Sequence, residues 1–312
     1  MRQGQPPSPP RAAVFFTTLL LAGIALSSVA PPGPVGAAIR HVLMFVGIAL
    51  LFTAFADGRP VREVFRLRAL SLWGVVKSIC LGLASWGLIY MLGSLMILLV
   101  QRLGGKMYQP YPELQQLPFG VALVVAGLIP ALCEEFAFRG YLQYGLEGLG
   151  PRAAVLLTGL LFGLMHFSVV RLVPLALLGM IFAAAVQRVG SILPSMIMHF
   201  VNNGTVLALS YGLGQAGSGS ADTSGPSPSG MTLVLMTGVV ITLGLAVWAM
   251  LKSFGPGDLA RPAEGPVRAE EQQAGPRGGL GRWVPMILGL LPGLALYAWA
   301  GLQELHTVFG PK

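Results

Sequence analysis

Three apolar stretches in the middle of the chain carry side chains that could do chemistry. Six residues of this kind stand out: Glu134, Glu135, Arg139, His166, His199 and Asn203. If these stretches cross a membrane, each ionisable side chain costs about 2.5–3.5 kcal/mol on insertion scales, which makes it a functional candidate. Three separate segments contribute, as expected for a site built in the core of a helix bundle.

The two adjacent carboxylates are predicted to have different roles. Within the run EEFAFR, Glu135 and Arg139 are four residues apart and share one helix face, so Arg139 neutralises Glu135 and holds it as a supporting residue. Glu134 points about 100° away and is free to act. The alternative is that both carboxylates only hold helices together.

The remaining residues suit the hydrolysis of a carbonyl compound. A glutamate beside a histidine in a partly desolvated pocket can deprotonate water, the role predicted for Glu134 with His166. His199 and Asn203 are again four residues apart, and their N–H groups could stabilise an oxyanion. The predicted catalytic residues are therefore Glu134, His166, His199 and Asn203.

The same residues could instead bind a metal ion. Glu134, His166 and His199 could ligate zinc and keep one position free. We favour the metal-free form, because the second histidine is paired with the amide of Asn203, a poor zinc ligand. The cofactor therefore stays unknown at this level.

The other histidines and the cysteines are interpreted as structural. His41 and His306 lie near the ends of apolar stretches without evident partners. Cys80 and Cys133 both fall within apolar segments and form no CxxC pattern, so a disulfide or thiolate metal site is not expected.

Composition indicates a membrane protein. The chain of 312 residues is 54% hydrophobic and only 10% charged, with a mean hydropathy of +0.72, whereas soluble domains are about 25% charged. The net charge of +8 does not predict nucleic-acid binding, because the basic residues lie at the ends of apolar runs. The lipid bilayer is therefore the main partner.

The predicted fold class is all-α: a polytopic transmembrane helix bundle of about eight to nine spans with a membrane-embedded cavity. The apolar runs are 12–30, 36–56, 70–100, 119–147, 152–170, 172–188, 192–210, 231–251 and 283–303. The first run could also be the apolar part of a cleaved signal peptide over residues 1–30. Its length favours a transmembrane span that is retained. Glu134 and His166 each lie roughly 20 Å from the inner ends of their runs, at 1.5 Å per residue, so they can meet.

The predicted organisation has six parts. Residues 1–118 form N-terminal transmembrane helices, and 119–210 form the catalytic core. They are followed by a flexible outer loop (211–230), a helix (231–251), a charged Pro/Gly-rich linker (252–282) and a C-terminal helix (283–312). We expect that last helix to be an appendage to the core.

Three motifs resemble one known family. Glu134–Arg139 is similar to its EExxxR motif, Phe162–His166 to its FxxxH motif, and His199–Asn203 to its HxxxN motif. The family is the CPBP group of intramembrane endopeptidases, which includes CAAX prenyl proteases and bacteriocin-processing or self-immunity (Abi-type) proteins. The resemblance covers about residues 120–210, and the other spans are similar only in being apolar.

The resemblance implies a helical bundle that hydrolyses peptide bonds of a membrane-associated peptide or protein. It implies that Glu134 activates water with His166, while His199 and Asn203 complete the site. Family members have been described both as metalloproteases and as metal-independent glutamate proteases. It does not identify the substrate, or say whether it is prenylated.

Two functions of other classes remain as alternatives. One is a non-catalytic membrane scaffold or immunity factor that keeps the same residues for binding. The other is a small-solute or proton transporter that uses Glu134 and the histidines as a relay, although no internal repeat supports it.

The distribution of positive charge generates a prediction of topology. Fourteen of the 20 Lys and Arg residues fall on one side of the predicted spans and five on the other, which orients a bacterial-type cell-membrane protein with its N-terminus in the cytoplasm. A reporter fused after Arg68 should therefore read cytoplasmic, and one in the 211–230 loop external. The opposite pair of readings would contradict the predicted orientation.

Overall fold

The computed structural model describes residues 8–57, 60–105, 116–216, 230–260 and 283–310, and within them the chain is helical. No β-strand occurs in these ranges, only an isolated bridge between Leu70 and Leu259. The helices are α1 (Pro9–Val29), α2 (Gly33–Phe55), α3 (Val61–Val64), α4 (Leu72–Arg102), α5 (Phe119–Leu149), α6 (Pro151–Met165), α7 (Val169–Val189), α8 (Leu193–Ala216), α9 (Gly230–Lys252) and α10 (Trp283–Phe309).

Seven of the described helices are long and apolar enough to cross a membrane: α1, α2, α4, α5, α7, α9 and α10. The predicted fold class, a polytopic helix bundle, is therefore confirmed, with a number of spans close to the predicted one. The protein is an integral membrane protein. The cavity within the bundle stays a prediction.

The two remaining long apolar segments differ from the predicted spans. Helix α6 has 15 residues and ends at Met165, not near residue 170, because the chain turns through Phe167, whose φ is 50°. Ser168 then caps the N-terminus of α7 by accepting from the N–H of Arg171 at 3.2 Å. Helix α8 is also long enough to cross a membrane. Its polar site residues lower its mean hydropathy, so it is not among the seven.

Helices α6 and α7 pack with their backbones almost in contact. A Cβ on Gly159 of α6 would lie 2.6 Å from the backbone nitrogen of Met180, and a Cβ on Gly179 would lie 2.8 Å from the Cα of Gly159. Any larger residue at these two positions would push the helices apart. The close crossing holds the end of α6, and with it His166, against the centre of the bundle.

Helix α5 passes through that centre and contains two π-helical stretches, Leu123–Leu128 and Phe136–Leu142. Such wide turns are frequent at functional sites, because they change which side chains share a face. The second begins directly after Glu135 and includes Arg139, and every residue from Ala137 to Leu142 is buried.

The C-terminal helix is part of the bundle, so the expectation that it is an appendage is wrong. Thr17 of α1 donates a hydrogen bond of 2.7 Å to the carbonyl of Gly289 in α10. At the same crossing, a Cβ on Gly289 would lie 3.1 Å from the Cβ of Ala13. The hydropathy pattern missed this packing because a lipid-facing surface and a helix-facing surface are both apolar.

The predicted outer loop and linker fall mostly on residues that the structure does not describe. Helix α8 continues to Ala216, and residues 217–229 and 261–282 lie outside the described residues. The first part of the linker packs on α4: Lys77 forms an ion pair of 2.8 Å with Asp258, whose carbonyl accepts from the N–H of Ser71, also at 2.8 Å.

The α1–α10 crossing generates a prediction of stability. Gly289→Leu should lower the midpoint of thermal unfolding, because overpacking costs about 1–3 kcal/mol. Gly244→Leu in α9 is the matched control, since nothing lies within 4 Å of a Cβ at that position. Equal midpoints for the two variants in one detergent would contradict the packing of α10 on α1.

Candidate active site

The centre of the site is an ion pair between Glu135 and Arg139. The Arg139 Nη1 lies 2.7 Å from the Glu135 Oε1, and both side chains are fully buried. The Nη2 of Arg139 donates to the carbonyl of Gly179 at 3.0 Å, and its guanidinium lies 4.5 Å from the ring centroid of Phe162. The pair therefore connects α5 to α7 and α6.

His199 of α8 joins this pair from the other side. Its Nδ1 donates to the same Glu135 oxygen, Oε1, at 2.8 Å. The ring packs between Phe162 and Phe182, at centroid distances of 5.9 and 5.7 Å. Glu135 thus compensates Arg139 and orients His199, with the remaining ring nitrogen of His199, Nε2, directed away from the pair.

Glu134 is buried but is not engaged in this way. Its Oε1 faces the Nε2 of His41 at 3.5 Å, and its Oε2 has no hydrogen-bond partner among the described residues. Glu134 also interacts electrostatically with His166 and His199. The Oε2 of Glu135 is also without a partner among the described residues. Buried carboxylate oxygens without a partner are unfavourable in a finished core, so the two oxygens indicate a place where water or a substrate group binds.

His166 stands at the C-terminal end of α6. Its Nδ1 donates to the carbonyl of Phe162 at 2.8 Å, and its ring contacts that of Phe162 at a centroid distance of 4.9 Å. Because Nδ1 is engaged by a carbonyl, which only accepts, the neutral ring has its lone pair on Nε2.

The turn that follows His166 is held by α10. Ser168 donates to the Glu304 Oε1 at 2.6 Å, and the N–H of Val169 donates to the Glu304 Oε2 at 2.5 Å. Tyr297 donates to the carbonyl of Ser168 at 3.3 Å. Glu304 thereby satisfies a free N–H at the start of α7, where a negative charge is also favoured by the helix dipole.

Asn203 lies one turn beyond His199 on α8, and its amide bonds to α5. Its Nδ2 donates to the carbonyl of Ala126 at 3.2 Å, and its Oδ1 accepts from the Nδ2 of Asn202 at 3.2 Å. The second N–H of the Asn203 amide is left for another acceptor. No direct bond joins Asn203 to His199 in the described part of the chain.

The structure also shows which residues the sequence analysis missed. His41 was interpreted as a histidine without a partner, and this is wrong, because it faces Glu134. The signal was present: an ionisable side chain inside an apolar run is a functional candidate, and His41 lies inside the predicted 36–56 run. Glu304 gave no comparable signal, because its partner is 136 residues away along the chain.

The predicted metal ligands are not gathered as a metal site. Among the described residues, no group of three or more His, Cys, Asp or Glu side chains is arranged to hold a metal ion. We therefore derive no step through a metal.

The two carboxylates should respond differently to truncation. Glu135→Ala should lower the yield of folded protein, because breaking a buried pair costs about 3–5 kcal/mol when the other charge, here Arg139, stays unpaired. Glu134→Ala should have little effect on yield. Size-exclusion profiles and unfolding midpoints in one detergent measure the difference, and equal yields would contradict the separate roles.

One family model matches part of the chain. Residues 116–205 match the model described as "Rce1-like: Type II CAAX prenyl endopeptidase Rce1-like", and this segment contains all three motifs. Neither the curated proteins nor the solved structures provide a match. The match confirms the resemblance inferred from the motifs: residues 116–205 of this chain are similar to the Rce1-like endopeptidases.

Proposed function

We propose that this protein is an intramembrane endopeptidase that hydrolyses a membrane-associated peptide by water activated at Glu134. One observation carries the proposal: both adjacent glutamates are buried with an Oε2 that has no hydrogen-bond partner among the described residues, but only Glu135 is fixed through its Oε1 by Arg139 and His199. The Oε1 of Glu134 faces only a histidine, His41, at 3.5 Å in that part of the chain. The Rce1-like match over residues 116–205 supports the same class of reaction.

In the first step, Glu134 removes a proton from a water molecule that binds at its Oε2. The water oxygen attacks the carbonyl carbon of the scissile peptide bond, so a C–O bond forms as the O–H bond breaks. His166 assists through Nε2, which is its remaining ring nitrogen and can hold the same water by a hydrogen bond. Burial of Glu134 limits the competing solvation by bulk water.

The attacked carbonyl oxygen becomes an oxyanion, and α8 supplies its donors. Asn203 donates the N–H that Ala126 does not use. His199 donates through Nε2 when both ring nitrogens carry hydrogen, with Nδ1–H held by Glu135. Donors fixed in this way act on charge that develops during the reaction. The C–N bond then breaks as Glu134 returns the proton to the departing amine.

The substrate is a peptide held at the membrane. The site residues belong to helices of the bundle, so the scissile bond must be brought to a membrane-embedded site, which favours a peptide already attached to the bilayer. The family description names CAAX prenyl endopeptidases, and a prenylated C-terminal peptide is the form we propose. A bacteriocin-type peptide is the other substrate class suggested by the resemblance.

The test uses purified protein in lipid vesicles with matched peptides that differ only in prenylation, and mass spectrometry of the products. Wild type should cleave the prenylated peptide, and Glu134→Gln should not, because the amide cannot accept the proton of water. Glu63→Gln is the control, since Glu63 is exposed. The side-chain carbonyl that replaces its carboxylate can still accept the hydrogen bond from the Tyr144 hydroxyl. Full activity of Glu134→Gln would contradict the proposal, and equal cleavage of both peptides would contradict the prenylated substrate.

The oxyanion donors are tested by kinetics of two alanine variants. Asn203→Ala should lower kcat by about 10²–10³ with little change in KM, the effect of removing one oxyanion donor. Asn202→Ala should have a smaller effect, because Asn202 only orients the Asn203 amide. A severe loss in Asn202→Ala with near-normal Asn203→Ala would reverse the assignment.

A further inference from the structure

We propose that Glu304 is a positioning residue of this active site, which sets the place of His166 by holding the turn that joins α6 to α7. The proposal rests on the function proposed above, in which His166 holds the attacking water. Glu304 lies on α10, outside the segment 116–205 that matches the Rce1-like family. It acts through the backbone of the turn rather than on the reacting atoms.

The turn after His166 has a backbone that its own residues do not favour. Phe167 has a φ of 50°, in the left-handed region that residues with a side chain rarely adopt. The N–H of Phe167 donates to the carbonyl of Leu164 at 3.1 Å, which closes the last turn of α6. A left-handed residue of this kind persists where surrounding contacts fix it, and such residues are concentrated at functional sites. The turn therefore needs partners from outside α6.

Glu304 supplies two acceptors to this turn. Its Oε1 accepts from the hydroxyl of Ser168 at 2.6 Å, and its Oε2 accepts from the N–H of Val169 at 2.5 Å. The Ser168 hydroxyl also accepts from the N–H of Arg171 at 3.2 Å, so it belongs to the start of α7. Both oxygens of one carboxylate are thus used on two consecutive residues. The two bonds together fix the direction of the chain as it enters α7.

The same face of α10 contacts the turn at two further positions. Tyr297 donates to the carbonyl of Ser168 at 3.3 Å. A Cβ on Gly301 would lie 2.7 Å from the Cγ2 of Val169, so the glycine allows α10 to approach the turn closely. Tyr297, Gly301 and Glu304 are spaced four and three residues apart and lie along one face of the helix. This face of α10 is therefore in register with the turn.

The position of His166 follows from this turn. His166 is the residue directly after α6, and its Nδ1 donates back to the carbonyl of Phe162 at 2.8 Å. The other nitrogen, Nε2, is the one assigned to the attacking water, so its place depends on how the chain leaves α6. A misplacement of about 1 Å can cost about 10²-fold in rate, even when the mutation is far from the chemistry. A shift of the turn would reach the reaction through His166.

The experiment measures kcat and KM of the full-length protein in vesicles for Glu304→Ala and Glu304→Gln, with the matched peptide that wild type cleaves. Glu304→Ala leaves both donors of the turn without this acceptor, and kcat should fall about 10²-fold. The glutamine keeps one acceptor oxygen for two donors, so its kcat should fall about tenfold. KM should change by less than about 2-fold in both, because Glu304 positions His166 and does not bind the peptide.

Two controls match these variants. Glu63→Gln makes the same chemical change at an exposed glutamate on α3. Gln303→Ala truncates the exposed neighbour of Glu304 on α10, which points about 100° away from the turn. Both should keep wild-type kcat. A tenfold loss in Gln303→Ala would show that any change in this part of α10 lowers the rate, and it would overturn the specific role of Glu304.

A double variant separates this role from a general packing role. Ser168→Ala removes one of the two donors, so the single oxygen of a glutamine is then enough for the N–H of Val169. Added to Ser168→Ala, Glu304→Gln should therefore lower kcat by less than about 3-fold, compared with about tenfold in the wild-type background. A full tenfold loss in both backgrounds would overturn the proposal.

Hydrogen exchange provides a readout that does not depend on activity. Amide exchange in a peptide that covers residues 166–169 should be faster in both Glu304 variants, by about tenfold in Glu304→Ala. Exchange around Thr17, where α1 bonds to α10, should stay as in wild type. Unchanged exchange at the turn would overturn the proposal, even if kcat falls.

The remaining outcomes are also decisive. Normal kcat in both Glu304 variants, with Glu134→Gln inactive, would overturn this inference and leave the proposed function intact. Activity in Glu134→Gln would remove the proposed function itself, and this inference with it. Poor folded yield of both Glu304 variants, with normal kcat in the folded fraction, would assign Glu304 a structural role and overturn the proposal.

Discussion

The buried guanidinium of Arg139 is the constraint on which the rest of this structure depends. Its side chain is fully buried in the centre of a membrane bundle, where a charge is stable only if it is paired and hydrogen-bonded. Glu135 supplies the charge, Gly179 supplies a carbonyl, and Phe162 offers the face of its ring. These partners lie on α5, α7 and α6, so compensating one charge fixes the positions of three helices. Through Glu135 it also fixes the ring of His199 on α8.

The contacts of Glu135 with Arg139 and His199 give a reason for two adjacent glutamates in the candidate site. A carboxylate that compensates an arginine and orients a histidine has little capacity left to act as a base. Its neighbour Glu134 faces another direction, because successive residues on a helix differ by about 100°. In the described part of the chain it pairs with no arginine or lysine, and its Oε1 faces only His41. In the proposed mechanism, structural and chemical roles are thereby separated by one peptide unit.

The two ends of the chain complete the surroundings of the site. His41 of α2 faces Glu134, and Glu304 of α10 holds the turn after His166. The turn needs such a partner, because the first N–H groups of a helix have no acceptor within it, and in a membrane there is little water to replace one. Both residues lie outside the family-matched segment 116–205, which therefore depends on the flanking helices for the geometry of its own residues.

What the sequence by itself determined is local. The all-α membrane bundle followed from apolar runs of about 20 residues, and the pairing of Glu135 with Arg139 followed from a spacing of four residues on one helix. Only the tertiary structure decided the contacts between helices, among them His41 with Glu134, His199 with Glu135, and Glu304 with Ser168. It also ended α6 at Met165, and it packed α10 against α1. The physical reason is that lipid and protein interior are both apolar. Hydropathy therefore marks a segment as buried in the membrane without indicating its rotation, its depth or the neighbour that its polar residues face.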